Sequence, residues 1–260
     1  MPGKRSRMGV ERGFRPSRTA ALKRAQTRGR KSGMVKVPRN RLAFPQSMKT
    51  KLRYSERIEF TPTTTAVIVA TFRGNGLNDP YADLGGHQPR GFDQFMDIYQ
   101  KYTVLGSTCT AQFMYEGYDG PSLKALAGNL TQNRSSTDNV PALTPVCCGL
   151  HKGVEALSAG TYTEQIEKER TQWGYITGSG GEIMTLSGKG TTREMFGKKY
   201  SIAAEGYSAT DGNDPTEQWK WEVWAGRVSD DYPQEQVKVV CNVVLTYDCV
   251  FTEPKTLTAS

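Results

Sequence analysis

The stretch from Val237 to Phe251 constrains the fold more than any other part of the chain. Apolar side chains occupy every second position of its fifteen residues, and mostly polar side chains stand between them. This period of two predicts a β-strand with one buried face, about 50 Å long at about 3.3 Å per residue. Because Val240, Val244 and Val250 interrupt the polar positions, the second face is not fully solvated either. We therefore predict a central strand, flanked on both sides.

Seven more strands are predicted from alternating or β-branched and aromatic segments. The first has a basic outer face, and Pro62 separates it from the second, so the two stand in different sheets or form a tight corner. Eight strands of unequal length, joined mostly by long loops, favour a jelly roll of two packed antiparallel sheets over an up-and-down barrel. In that connectivity the last strand lies between the first and the third. The seven predicted strands are 49–61, 65–72, 101–116, 141–150, 172–177, 182–192 and 219–225, with short helices at 92–99 and 161–170.

Positive charge is concentrated at the N-terminus. Residues 1–41 contain 14 Lys and Arg against one acidic residue, Glu11, which gives this segment a net charge of +13. The other 219 residues carry 20 basic and 25 acidic side chains, or −5. The segment cannot bury enough apolar surface to offset its ordering entropy, and its like charges repel. We predict a disordered basic arm at 1–41 and an all-β folded domain at 42–260.

The arm is predicted to bind nucleic acid by neutralising phosphates. A solvated, solubilising tail is the alternative, although acidic residues would serve solubility as well and are nearly excluded. The arm also fits a nuclear localisation signal, whereas its dispersed Gly and Pro argue against the amphipathic helix of a mitochondrial transit peptide. The predicted nucleic-acid-binding residues include three at the start of the first strand. They are Lys4, Arg5, Arg7, Arg12, Arg15, Arg18, Lys23, Arg24, Arg28, Arg30, Lys31, Lys36, Arg39, Arg41, Lys49, Lys51 and Arg53.

Other motifs do not predict a catalytic or metal site. The sequence has no apolar run of about eighteen residues and no signal-peptide h-region, so no membrane contact or secretory route is predicted. The number of cysteines, five, is odd, and no two of them form a Cys-x-x-Cys pair, so we predict that all five thiols are reduced. The two thiols of the last strand are predicted to lie in the core. We predict no catalytic residue, no metal ligand and no cofactor.

Four features could suggest chemistry, but each has a simpler structural explanation. A phosphate cradle needs a helix directly after its glycines, a calcium loop needs a distal Glu, and two histidines are few for a metal set. The simpler explanations are turn glycines for the first feature below, hydrogen-bonding histidines for the second, a solvated helix face for the third and a surface turn for the fourth. The features are Gly74-Asn-Gly76, His87 with His151, the carboxylates of 164–169, and the Asp-rich stretch 208–215.

After the basic arm, the sequence contains in order Arg73-Gly-Asn-Gly-Leu-Asn-Asp-Pro80, Gly86-His-Gln-Pro-Arg-Gly-Phe-Asp-Gln-Phe-Met96, Tyr99-Gln-Lys-Tyr-Thr-Val104 and Arg193-Glu-Met-Phe-Gly197. This order of segments resembles the capsid proteins of small circular single-stranded DNA viruses, the circovirus-like group that encodes a rolling-circle replication protein. That resemblance implies a viral jelly-roll subunit, about sixty copies in an icosahedral T=1 shell, and arms directed inward onto the single-stranded DNA genome. It further implies a virion location, assembly in the host nucleus with host import machinery as a partner, and no enzymatic activity.

Two other classes of protein remain open at this point. A cellular basic nucleic-acid-binding protein with a β-sandwich body would share the arm, but the sequence has no recognisable motif that reads RNA or DNA. An enzyme on a β-sandwich would need a nucleophile or metal motif such as Gly-x-Ser-x-Gly, which is absent. If the chain forms a shell, we expect its long loops, 74–91 and 117–139, at subunit contacts or on the outer surface.

Overall fold

The computed structural model describes residues 44–62, 65–83, 85–118, 145–177, 183–197, 206–229 and 237–256. The predictions for the arm and for 119–139 lie outside the described residues. The described ranges contain nine strands and three short helices. The helices are α1 (Phe92–Ile98), α2 (Tyr162–Ile166) and α3 (Thr192–Met195). The strands are β1 (Ser47–Phe60), β2 (Ile68–Arg73), β3 (Tyr99–Tyr118), β4 (Val146–Gly153), β5 (Thr171–Ile176), β6 (Ile183–Thr191), β7 (Ser208–Thr210), β8 (Lys220–Arg227) and β9 (Val237–Pro254).

The strands form two antiparallel sheets with jelly-roll connectivity. One sheet has the order β1-β9-β3-β6, with β7 beside β3, and the other has the order β2-β8-β4-β5. The last strand lies between the first and the third, as predicted. Of the two alternatives for β1 and β2, different sheets or a tight corner, the structure has different sheets. The predicted jelly roll of two packed antiparallel sheets is therefore confirmed.

Strand β9 is central because it pairs with another strand at each edge, and neither of its faces is fully exposed. Its inner side chains, from Val237 through Leu245 to Phe251, are completely buried in the core, where Phe251 stacks on Phe95 of α1. On the opposite face, side chains such as Val244 are only partly exposed, and Val240 is buried. Pairing with β1 on one edge and β3 on the other satisfies the backbone groups of this long strand.

The first part of the long loop, residues 74–77, is buried inside the subunit. A Cβ at Gly74 would lie 2.4 Å from the indole of Trp219, so the ring's close approach, and not a turn, requires this glycine. The Asn75 amide donates to the Glu217 carbonyl at 2.8 Å and accepts from the Trp219 amide at 3.1 Å. The expectation that the loop lies at subunit contacts or on the outer surface is wrong for residues 74–77, because they are buried within the chain and their polar groups are satisfied internally.

The Asp-rich stretch 208–215 is more than a surface turn. It contains β7, which the sequence did not predict because it has only three residues. Asp214 follows it, and its carboxylate accepts hydrogen bonds from the Asn78 amide and the Tyr102 hydroxyl, both at 3.1 Å. The Arg73 guanidinium lies 3.6 Å from the same carboxylate. Burial raises the pKa of Asp214, while the Arg73 guanidinium opposes that shift. Because its carboxylate bonds to residues 78 and 102, Asp214 links this stretch to the loop and to β3.

The two sheets differ in what lies on their outer faces. Trp224 projects from the outer face of the four-stranded sheet and is completely buried over Gly149, where a Cβ would lie 2.2 Å from the indole. Leu157 of the β4–β5 connection, with Tyr162 and Ile166 of α2, packs around this tryptophan. The corresponding face of the five-stranded sheet retains exposed side chains on β1, β3 and β6.

Several boundaries differ from the sequence prediction. Strand β4 begins at Val146 and continues to Gly153, so its polar end, His151 to Gly153, was missed. Strands β5 and β6, which are consecutive in the sequence on either side of residues 178–181, lie in different sheets. The segment after β6 starts with helix α3, capped by the Thr191 hydroxyl, which accepts from the Glu194 amide. None of the described helices is long and apolar enough to cross a membrane.

All five cysteines are free and buried, which confirms the predicted core thiols. Burial raises the pKa of Cys147, Cys241 and Cys249 to about 12, so the reactive thiolate is scarce at neutral pH. We expect slow alkylation of the native protein and five labels per chain after denaturation without reductant. Mass spectrometry counts the labels, and three labels instead of five would show that a disulfide forms.

Candidate nucleic-acid interface

The described part of the predicted nucleic-acid site lies at the start of β1. Lys49, Lys51 and Arg53 alternate with inward-facing side chains and are exposed on the outer face of the five-stranded sheet. Lys51 forms an ion pair with Asp248 of β9 at 3.3 Å. Lys49 and Arg53 have no ion pair among the described residues. Strand alternation thus positions three cations on one face, of which two have no carboxylate partner.

Lys49, Lys51 and Arg53 form a basic strip along β1. The sheet register continues this strip across the outer face of the sheet. Arg53 of β1 is opposite Thr246 of β9, which is opposite Thr108 of β3, which in turn is opposite Lys189 of β6. The four residues form one row, and three strand spacings of about 4.8 Å separate its ends by about 14 Å. A cation at each end and hydroxyl groups between them suit an extended polyanion.

Sequence reasoning missed Lys189 because its place in the row depends on register. The alternation in β6 can indicate that Lys189 faces outward, but only the pairing with β3 places it opposite Thr108. The next row runs from Ser55 of β1 to Ser187 of β6 and has no charge. The free cations are therefore concentrated in one part of the sheet face.

The cations at the other end of β1 are neutralised. Arg57 contacts Glu59 and Glu116, and Lys238 lies 3.2 Å and 3.3 Å from the same two carboxylates. Hydrogen bonding to Lys238 lowers the pKa of Glu59, and bonding to Glu59 and Glu116 raises the pKa of Lys238. Two cations and two carboxylates cancel, so this end of the sheet has little attraction for a polyanion.

Both histidines have structural contacts. His87 stacks on Tyr54 with ring centroids 4.5 Å apart, and its Nδ1 lies 3.4 Å from the Glu56 carboxylate. The His151 Nδ1 is 2.9 Å from the Thr171 hydroxyl. Burial, together with the charges of Lys168 and Arg170, lowers the pKa of His151 to about 4. Within the described ranges, no group of three or more His, Cys, Asp or Glu side chains is placed to hold a metal ion.

Neutralising the basic strip should weaken single-stranded DNA binding and its salt dependence. With Lys49→Gln, Lys51→Gln and Arg53→Gln combined, the slope of log affinity against log salt should become shallower by at most about 2, since each lost phosphate contact removes about 0.7 and Asp248 already neutralises part of the charge of Lys51. Binding to an oligonucleotide across a salt series measures this slope. Arg57→Gln is the matched control. Arg57 lies on the same strand face, but Glu59 and Glu116 already neutralise its charge. Equal changes in the two variants would contradict the assignment.

Comparison with known proteins adds structural similarity alone. No protein-family model matches the sequence, and no curated protein matches it. Among solved structures, the empty head of turnip yellow mosaic virus shares 14% identity, covering 85% of this chain and 89% of that chain at a TM-score of 0.39. The BFDV capsid protein shares 7% identity, covering 79% of this chain and 98% of that chain at a TM-score of 0.36. The Penaeus monodon metallodensovirus capsid shares 8% identity, covering 81% of this chain and 76% of that chain at a TM-score of 0.39. Identities and TM-scores this low do not assign the chain to a family.

Proposed function

We propose that this chain is the capsid protein of a single-stranded DNA virus. One combination carries the proposal, a jelly-roll body with a separate, strongly basic N-terminal segment. The body's net charge of −5 gives it no general attraction for nucleic acid, whereas residues 1–41 carry +13. In this division the body forms the shell and the arm, at 1–41, condenses the genome.

The body has exposed apolar groups that suit contacts between subunits. Trp173 and Tyr175 of β5 are 43% and 48% exposed and stack edge to face on each other, and Ile183 at the start of β6 is 60% exposed. Large exposed aromatic and aliphatic side chains are typical of protein interfaces, where they become buried. We propose that about sixty copies associate as a closed T=1 icosahedral shell.

The arm charges set the scale of genome neutralisation. Sixty arms of +13 would supply roughly 780 positive charges, about one for each nucleotide needed to encode these 260 residues. A genome that also encodes a replication protein exceeds this number, so small cations or the strip at Lys49–Arg53 must neutralise the remaining phosphates. The same arm would serve as a signal for the host nuclear import machinery, with assembly in the nucleus and a final location in the virion.

Nuclease protection tests the proposal and separates it from a cellular nucleic-acid-binding protein. Full-length protein is mixed with circular single-stranded DNA, treated with nuclease and separated by sedimentation. A capsid protein should yield fast-sedimenting particles that retain intact DNA, because a closed shell excludes the enzyme. A monomeric or open complex, in which nuclease degrades the DNA to short fragments, would favour the cellular binding protein and contradict the proposal.

A further inference from the structure

A cavity of about 220 Å³ opens between β5 of one sheet and β6 of the other. It shares only Lys189 with the row that ends at Arg53. Lys152 at the end of β4, Arg170 just before β5 and Lys189 of β6 all line it. At about 30 Å³ per water molecule, the volume corresponds to roughly seven waters. Three cations from three separate elements therefore converge on a space large enough for a small hydrated anion.

Most of the positive charge at this cavity is not compensated. The Lys152 ammonium donates to the Lys189 carbonyl at 2.7 Å and to the Glu194 carboxylate at 3.2 Å, and this leaves its third donor available. The contact of the Arg170 guanidinium is with the Met195 thioether at 3.3 Å, a weak neutral acceptor. Neither Arg170 nor the Lys189 side chain forms an ion pair within the described residues. Among the described residues, three cations thus stand against one carboxylate.

The cavity also has the features of a formed site. Its floor contains Leu150 and the buried ring of Trp221, and a Cβ at Gly188 would lie 2.9 Å from that ring. Gln172 and Ser187 add neutral hydrogen-bonding groups at its wall. Arg170 has a φ of 62°, a left-handed conformation that few non-glycine residues adopt and that tends to occur at functional sites. The low pKa of nearby His151, for which burial and then Lys168 and Arg170 are responsible, agrees with positive charge here.

We infer that this cavity binds a phosphate group. A guanidinium can donate two parallel hydrogen bonds to a tetrahedral oxyanion, while the two ammonium groups contribute point charges and the neutral groups fix its orientation. The apolar floor lowers the local dielectric constant and strengthens each of these contacts. This inference does not depend on shell formation, since all of the cavity residues belong to one chain.

Site-resolved arginine modification tests the inference on the full-length protein. Phenylglyoxal reacts with accessible guanidinium groups, and peptide mass spectrometry reports the rate at Arg170 and at exposed Arg193, an internal control outside the cavity lining. When the concentration of inorganic phosphate is ten times its dissociation constant, the rate of Arg170 modification should be roughly tenfold lower than in a chloride solution of equal ionic strength. The rate at Arg193 should change much less. Equal rates at Arg170 in phosphate and chloride would overturn the inference.

Two variants separate the cavity from the arm, which is common to all samples. Lys152→Gln should raise the phosphate concentration for half-protection of Arg170 by roughly tenfold, because it removes a charge-assisted hydrogen bond. Lys255→Gln, a lysine outside the cavity lining, should leave that concentration unchanged. If Arg170 resists the reagent even in chloride, calorimetric titration of wild type and Arg170→Gln with phosphate decides, and identical isotherms reject the site.

A single-stranded oligonucleotide, added as a second probe, identifies the source of the phosphate. If the oligonucleotide protects Arg170 at a lower total concentration of phosphate groups than inorganic phosphate does, the cavity binds the backbone of a nucleic acid. Protection by inorganic phosphate alone would indicate a free anion, and would support the cavity while separating it from genome binding. Failure of both probes would reject the cavity without affecting the proposed capsid role.

Discussion

Deletion of residues 1–41 should remove most of the protein's affinity for single-stranded DNA and leave a soluble, β-rich body. If all thirteen net charges displaced counterions, the slope of log affinity against log salt would approach about −9 for the full chain. The three basic residues at the start of β1 account for a slope of only about −2. Binding of full-length and truncated protein to one oligonucleotide, from low to moderate salt, measures both slopes.

A shuffled arm provides the matched control for the deletion. It keeps the composition of residues 1–41 in a different order, so a purely electrostatic arm should retain the full slope. Circular dichroism of each protein verifies that the body keeps its β-structure. Equal slopes in full-length and truncated protein would refute the division between a genome-binding arm and a shell-forming body.

Replacing Trp219 with Ala should destabilise the unassembled subunit by about 3–5 kcal/mol. This indole is completely buried, stacks edge to face on Trp221 at 5.4 Å and donates from Nε1 to the Thr192 hydroxyl at 3.2 Å. It also packs on Gly74, so truncation leaves a cavity between the loop and the core. The Thr192 hydroxyl loses the hydrogen bond that it accepts from the indole and keeps the one that it donates to the Val104 carbonyl. Urea unfolding followed by fluorescence measures the change in free energy.

Trp173→Ala is the control for this experiment. Trp173 is 43% exposed on the edge strand β5, and its truncation in the free subunit should cost less than about 1 kcal/mol. The same variant should impair particle formation if Trp173 lies at a subunit contact. Similar losses of unfolding free energy in the two variants would contradict the placement of Trp219 as a buried link between the loop and the sheets.

The strands whose periodicity was strong could be predicted from the sequence. The two-faced apolar character of β9 indicated a central strand, and Pro62 indicated a break between β1 and β2, either a change of sheet or a tight corner. Both features depend on residues that are neighbours in sequence. For the same reason the alternation in β1 correctly predicted the exposure of Lys49, Lys51 and Arg53.

The features that were missed depend on contacts between distant residues. Gly74 and Asn75 have a composition typical of solvent-exposed loops, yet they are buried because Trp219, far away in sequence, packs on one and bonds to the other. The row from Arg53 to Lys189 requires the registers of three strand pairs. The phosphate cavity combines residues from three separate elements, and no local pattern marks it.

Electron microscopy of purified full-length protein tests the central claim most directly. Negative staining shows whether closed particles of uniform diameter form, and mass measurement of the same sample gives the number of chains in each. A capsid protein should give uniform closed shells of about sixty subunits, whether or not DNA is enclosed. A sample that contains only monomers, small oligomers or irregular nucleic-acid aggregates under assembly conditions would contradict the account.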